Sequence, residues 1–392
     1  MAVQIPTLTE LFTSIKGDLE SKIGINISLF GKTYLNGLAG VQAAKLKLYY
    51  LAIANVQRNI FPDLAESESI GGTLERFGRV KLNRNPFPAK SGQYIVDVTG
   101  QIGATINANL TFKSDDSSNN PSKLFILDNS FTFITTTGTI TLRALEGGID
   151  SRLNIGDTLT ATAPILNANE LVTVTTEVVQ PLEAEDLEDY REKIVEAFRL
   201  EPEGGAGSDY RLWSNDAQGV RTVYPYAKVG FPNEVSVFVE SILANSTDGK
   251  GTPSSTMLAD VESVIEFDPD TTAPLNERGR RPIAAFNIDI QPVSIKDIDI
   301  TIQGFQNLTV AKQTTIFNAL KSGIENIRPF VPSVDIATDR NDVINDSKIT
   351  FMILDAVPAV FTSLSFTTNG DPNTPSNFTN GDIPVLNSIT YV

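Results

Sequence analysis

The densest set of groups able to move protons or hold a hard cation lies between residues 183 and 203, where nine Asp or Glu stand among three Lys or Arg. Paired carboxylates can share acid and base roles in glycoside cleavage, and several together can ligate calcium or magnesium through oxygen. The same run also reads as the solvated start of a helix. Glu183, Glu185 and Asp186 fall where the helix dipole favours acids, and Asp189 stands four residues before Lys193 as an ion pair would. A surface for a basic partner, with Asp186 and Asp189 as contacts, is the third possibility.

Other chemistry-bearing patterns are weaker. Gly204-Gly205-Ala206-Gly207 resembles a phosphate cradle, but no Lys-Ser or Lys-Thr follows it and no strand precedes it, so a tight turn needing positive φ is expected. Asp115-Asp116-Ser117-Ser118-Asn119-Asn120 is rich in oxygen but lacks the alternating acids, central glycine and closing glutamate of a calcium loop, which leaves a flexible polar loop. Arg278, Arg280 and Arg281 are too few for a nucleic-acid footprint; their functional reading is an ion-pair contact with a neighbouring subunit. Trp213, the sole tryptophan, reads as core.

Composition narrows the chemistry further. The 392 residues contain no His and no Cys, which excludes Ser-His-Asp and Cys-His catalysis, imidazole and thiolate metal sites, and disulfides. No enzymatic activity, cofactor or metal is expected. A net charge of −16 opposes binding to phosphate backbones, so nucleic acid is not an expected direct partner. The first fifteen residues lack the basic start and apolar core of a secretory signal, and the longest apolar run, Leu48 to Ala54, is far too short to span a bilayer, so a soluble protein without membrane insertion is expected.

Periodicity supplies the elements that would hold these residues. Leu8, Leu11, Ile15 and Leu19 predict a short helix, with Thr9 near its start; Leu38, Val41, Ala44, Leu48, Leu51 and Val56 predict a longer one over residues 36 to 60, together a helical hairpin. A third helix over 73 to 80 carries Leu74 and Phe77, candidate contacts with a partner because the N-terminal helices are too few to close a core. From Pro86 the period changes to two, with Tyr94, Val96 and Val98 alternating with Gln93, Ile95 and Asp97, and short strands follow over 106–112, 124–127, 131–136, 139–144, 158–162 and 171–179. These predict a small sandwich or barrel.

Helices at 183–198 and from Ser208 or Asp209, strands at 222–229, 235–240 and 285–290, and a helix at 256–267 then predict an α+β unit. A second has strands at 295–305, 348–355 and 364–368 and a helix at 310–327. The expected fold is therefore an α+β multidomain chain: an N-terminal helical hairpin region over 1–85, an inserted all-β domain over 86–180, and two C-terminal α+β units over 181–292 and 293–392.

A series of short motifs follows in a fixed order along the chain. It runs through Phe61-Pro62-Asp63, Leu74-Glu75-Arg76-Phe77-Gly78, and Arg84, Pro86, Ala89 and Gly92. It continues through Ala144, Gly147, Asn154, Gly156 and Asp157, then the acidic helix start 185–191, Gly204-Gly205 with Asp209, Tyr210 and Trp213, and Gly219-Val220 with Pro225. Arg281-Pro282-Ile283 and the closing Gly381-Asp382-Ile383-Pro384 complete it, and the ordered set resembles the baseplate J-like family, whose members are wedge proteins of contractile phage tails of the Mu-like and T-even type and of tailocins.

The resemblance implies a structural subunit of the baseplate wedge, placed in the virion tail baseplate and assembled in the host bacterial cytoplasm. Its implied partners are a second copy of itself and a smaller wedge protein, joined through the helical parts, then neighbouring wedges, sheath-initiator and central hub proteins. The ring so formed would couple baseplate rearrangement to sheath contraction. The competing expectations are a tail-tip adhesin that binds host surface sugars through the β domain, and a carboxylate-based glycosidase.

Overall fold

A computed structural model describes residues 5–24, 34–200, 204–282, 285–372 and 376–392. The chain divides into two units, Met1–Pro86 with Leu187–Phe198, and Phe87–Asp186 with Arg199–Val392. The architecture is α+β and multidomain.

In the first unit, helix α1 (Leu8–Ile23) opens on a capping box. The Glu10 amide donates to Thr7 Oγ1 at 3.2 Å and the Thr7 amide donates to Glu10 Oε2 at 2.7 Å, so the cap is Thr7 and not Thr9. Gly24, at φ 71°, ends it. Helix α2 (Tyr34–Arg58) packs beside α1, and Lys47 Nζ donates to the Pro6 carbonyl at 2.8 Å.

Helix α3 (Leu74–Lys81) packs with α4 (Leu187–Arg199) around a small core of Ala65, Leu74, Tyr190 and Ile194. Gly78 makes this possible: a Cβ there would overlap the Tyr190 hydroxyl. That hydroxyl donates to the Arg84 carbonyl at 2.6 Å, and the Arg84 guanidinium lies 5.5 Å from the ring centroid. The stretch 187–198, expected in the third domain, thus belongs to the helical unit.

The second unit starts with a closed antiparallel barrel. Its strands are β1 (Gln93–Thr99), β3 (Thr111–Ser114), β4 (Leu124–Leu127), β6 (Thr137–Ala144), β7 (Thr158–Ala161) and β8 (Leu171–Val179), in the order β1-β6-β4-β3-β7-β8 and back to β1. The short strands β2 (Thr105–Ile106) and β5 (Phe131–Thr132) pair beside it. Alternation holds as read: Tyr94, Val96 and Val98 turn inward to meet Phe112, Phe125, Leu142 and Val174. Two register shifts between β1 and β8 give the irregularity that closing a small sheet on itself needs. The strand expected over 106–112 is broken in two, because Asn109 adopts φ 66°.

Next comes a three-stranded sheet of β9 (Val220–Ala227), β10 (Glu234–Ser241) and β11 (Asn287–Pro292), in the order β11-β10-β9. Strands β9 and β10 are antiparallel, whereas β10 and β11 are parallel and joined through α6 (Ser255–Glu266). Helices α5 (Gly207–Ser214) and α6 bury Tyr210, Met257, Val261 and Ile265 against Val223, Val237 and Val239.

The last sheet is β15-β14-β12-β17, from β12 (Ser294–Gln303), β14 (Ser363–Thr368), β15 (Asp371–Pro372) and β17 (Asp382–Tyr391), with a separate pair of β13 (Val343–Ile344) and β16 (Ser376–Asn377). Helices α7 (Val310–Glu325) and α8 (Asp346–Ala356) cover it through Ile316, Leu320, Ile324, Ile349 and Ile353. Residues 348–355, read as a strand, are helix α8. Asn345 caps it by accepting from the Lys348 amide at 2.9 Å, and Ile349 and Ile353, four apart, are both fully buried on its inner face. In so short an apolar run the two periods are indistinguishable.

Candidate assembly surface

Helix α2 carries its large apolar side chains on the outside. Leu46, Tyr49, Ile53 and Val56 follow at intervals of three, four and three, which draws one line along a helix, and they are 38%, 65%, 56% and 62% exposed. Val41 and Leu48, seven apart, are also exposed, as are Ile60, Phe61 and Leu64 just beyond the helix. The residues that α2 does bury are Ala39 and Ala43. The apolar face read from Leu38, Val41, Ala44, Leu48, Leu51 and Val56 is therefore mostly turned to solvent.

Two features make this a candidate surface. A contiguous apolar strip rimmed by polar residues marks a docking site in soluble proteins. The three-four spacing is the form in which one helix offers a seam to another. Helix α2 also has Lys45, Lys47 and Arg58 and no acid, in a chain whose net charge is −16.

The structure distributes the other sequence-derived candidates differently. Leu74 is fully buried by Ala65, Tyr190 and Ile194 of its own chain, so a partner could reach it only by opening that core. Phe77 is half-buried and meets Phe198 edge to face, with centroids 6.0 Å apart. Asp186 is exposed just before α4, and Asp189 is half-buried in its first turn.

The three arginines are engaged within the chain. Arg280 donates to Asp216 Oδ2 at 2.7 Å, to the Val264 carbonyl at 3.1 Å and to Asp268 Oδ2 at 2.9 Å. Arg281 donates to Glu266 Oε1 at 2.8 Å and Arg278 to the Asp268 carbonyl at 3.1 Å. They fasten the loop before β11 to the end of α6, and Arg281 alone of the three leaves about two fifths of its side chain exposed while paired. An ion pair with a neighbouring subunit would compete with these bonds.

The remaining motifs have structural roles. Gly204 and Gly205 sit at φ 76° and 116°, as the turn reading requires, and Asp209 accepts from the Gly205 and Ala206 amides. The polar loop 115–120 is held by bonds: Ser118 donates to the Thr158 carbonyl at 2.8 Å, and Asn120 to the Arg152 carbonyl at 2.9 Å. Trp213 packs edge to face on Tyr210 over the core of the three-stranded sheet. Among the described residues no cluster of three or more Asp or Glu could hold a metal ion, and no helix is long and apolar enough to cross a membrane.

Sequence reading missed Leu46, Tyr49 and Ile53. Their spacing was the available signal, hidden because almost every face of α2 carries apolar residues.

No family model and no curated protein matches this chain. Among solved structures, it is similar to a chain of the cryo-EM structure of the anti-feeding prophage baseplate, six-fold symmetrised, at 10% identity and a TM-score of 0.38, over 99% of each chain.

Proposed function

We propose that this chain is a structural subunit of a contractile-tail baseplate, a wedge protein of the baseplate J-like type, that works through interfaces and not through bond chemistry. The observation that carries the proposal is the apolar line Leu46, Tyr49, Ile53 and Val56 on the outside of α2. A helix with that surface is incomplete by itself, and the ordered motifs from Phe61 to Pro384 resemble a family whose helical parts join in a bundle.

In this reading α1 and α2 pack with a second copy of the chain and a smaller wedge protein. The barrel and the two α+β sheets then supply the surfaces for neighbouring wedges, sheath-initiator and hub proteins. The protein would reside in the tail baseplate, assembled in the bacterial cytoplasm, and would transmit rearrangement by exchanging contacts between rigid parts.

The test is co-expression with the products of its neighbouring genes and imaging of the purified complex by electron microscopy. A ring or wedge containing two copies with α2 inside a helical bundle is expected. A chain that purifies alone and ignores every one of those products overturns the reading.

A further inference from the structure

Within the second unit, a cleft of about 280 Å³ lies between the start of the three-stranded sheet and the segment 326–341. Its walls include four arginines, Arg199, Arg211, Arg328 and Arg340, against two aspartates, Asp335 and Asp339. So many guanidinium groups around one small space are unexpected in a chain of charge −16.

The arginines are held from behind. Glu240, 1% exposed, accepts from Arg328 Nε and Nη2 at 3.1 and 3.0 Å, from Arg221 Nη1 at 3.2 Å and from the Tyr224 hydroxyl at 2.5 Å. Asp342, 2% exposed, accepts from Arg340 Nε and Nη2 at 2.8 and 2.7 Å. In both places the carboxylate is buried and the guanidinium is the part that reaches solvent. Arg211 is the exception: it is more buried than its partner Asp335. Arg328 Nη1 also donates to the Ile327 carbonyl at 2.8 Å, so the two forks are fixed in place and offer a ligand their remaining N–H groups, which lowers the ordering cost of recognising a carboxylate.

We propose that this cleft takes one or two carboxylate side chains from an acidic segment of a neighbouring protein chain. The volume suits one or two side chains and not a long polyphosphate backbone, and a planar guanidinium fork matches the edge of a carboxylate. Phe330, with the Arg340 guanidinium 5.0 Å from its centroid, and Ile336, about half exposed, give the cleft apolar surface for the partner's flanking residues. The inference rests on the assembly reading only for the source of the segment.

The probe is a fluorescein-labelled hexapeptide of alternating Asp and Leu, titrated with the full chain and followed by anisotropy. Its Asn-Leu counterpart, inorganic phosphate and a single-stranded oligonucleotide serve as comparisons. Binding at least about tenfold tighter for the acidic peptide, lost progressively with added salt, is expected. The double variant Arg199→Gln and Arg340→Gln, at two exposed positions, should weaken it by about tenfold or more, while Arg143→Gln on the barrel leaves it unchanged.

Equal binding of the two peptides, no response to the double variant, or tighter binding of phosphate or oligonucleotide each overturns the proposal. The double variant keeps α2 intact. Failure here with normal wedge formation therefore falls on the cleft alone, and failure of wedge formation by the unaltered chain falls on the assembly reading.

Discussion

In the barrel, the side chains of Tyr94, Val96, Phe112, Phe125, Leu142 and Leu159 all face inward and none is measurably exposed, so its strands complete a core without help. Helix α2 is similarly rich in apolar residues, yet it buries Ala39 and Ala43 and leaves Leu46, Leu48, Tyr49, Ile53 and Val56 outside. The difference teaches which part of the chain is finished at the level of the monomer. A sheet closed on itself has no unpaired edge and one interior, whereas a helix beside one other helix can cover only a third or so of its circumference.

If that contrast is right, the barrel should be the place where one lost side chain matters most. Phe125→Ala removes a ring that meets Tyr94 edge to face at 5.8 Å in a site with no solvent contact. A loss of about 3–5 kcal/mol is expected, from the transfer of the ring and the cavity left behind. Hydrogen exchange followed by mass spectrometry over residues 93–179 measures it. A loss below about 1 kcal/mol would show that the barrel leans on something beyond its own core.

Gly78→Ala probes the part of the helical unit that does have a core. The added methyl would occupy the position of the Tyr190 hydroxyl, so either α3 and α4 separate or the bond from Tyr190 to the Arg84 carbonyl breaks. Overpacking of this sort costs about 1–3 kcal/mol. Faster exchange confined to 74–81 and 187–198 is expected, with the barrel amides unchanged.

A smaller effect tests one buried hydroxyl of the α+β sheets by pH, alongside Tyr94 in the barrel and Tyr224 in the same sheet, which burial also raises. Burial raises Tyr226 to about 12, and its hydroxyl donates to the Phe330 carbonyl at 3.1 Å. Because the folded pKa lies above the unfolded value near 10, the stabilisation is complete below pH 10 and is lost as pH climbs from 10 through 12. Tyr226→Phe should cost about 1 kcal/mol at neutral pH and make the alkaline decline shallower. Urea titrations between pH 8 and 12, read by Trp213 fluorescence, provide the measurement; an unaltered alkaline slope would exclude Tyr226 as a contributor.

How far the sequence was legible follows the same division. Period-two alternation put Tyr94, Val96 and Val98 on one face because a strand has only two, and the barrel core shows that face to be the inner one. It failed at 348–355, where eight residues fit either period and the cap at Asn345 was the deciding detail. The α4 segment was recognised as a helix but assigned to the wrong neighbours, since its acids speak of a helix start and nothing local says that Tyr190 needs Gly78 to lie on. Arg278, Arg280 and Arg281 looked available for a partner because their acceptors, Asp216, Glu266, Asp268 and the Val264 carbonyl, are up to 64 residues away. The α2 seam was present as a spacing, but separating it from the rest of an all-round apolar helix required knowing which face α1 covers.

The smallest expected change in monomer stability is the one that tests the contrast most directly. Tyr49→Gln with Ile53→Gln replaces two exposed apolar side chains by a good helix former. Since neither residue is buried in the monomer, unfolding of the isolated chain should move by no more than about 0.5 kcal/mol in either direction. The effect should appear in company: if the seam faces another helix, the same double variant loses its place in the wedge complex at concentrations where the unaltered chain assembles. A monomer destabilised by several kcal/mol would mean that α2 already buries these residues within one chain, and the hairpin would then be as complete as the barrel.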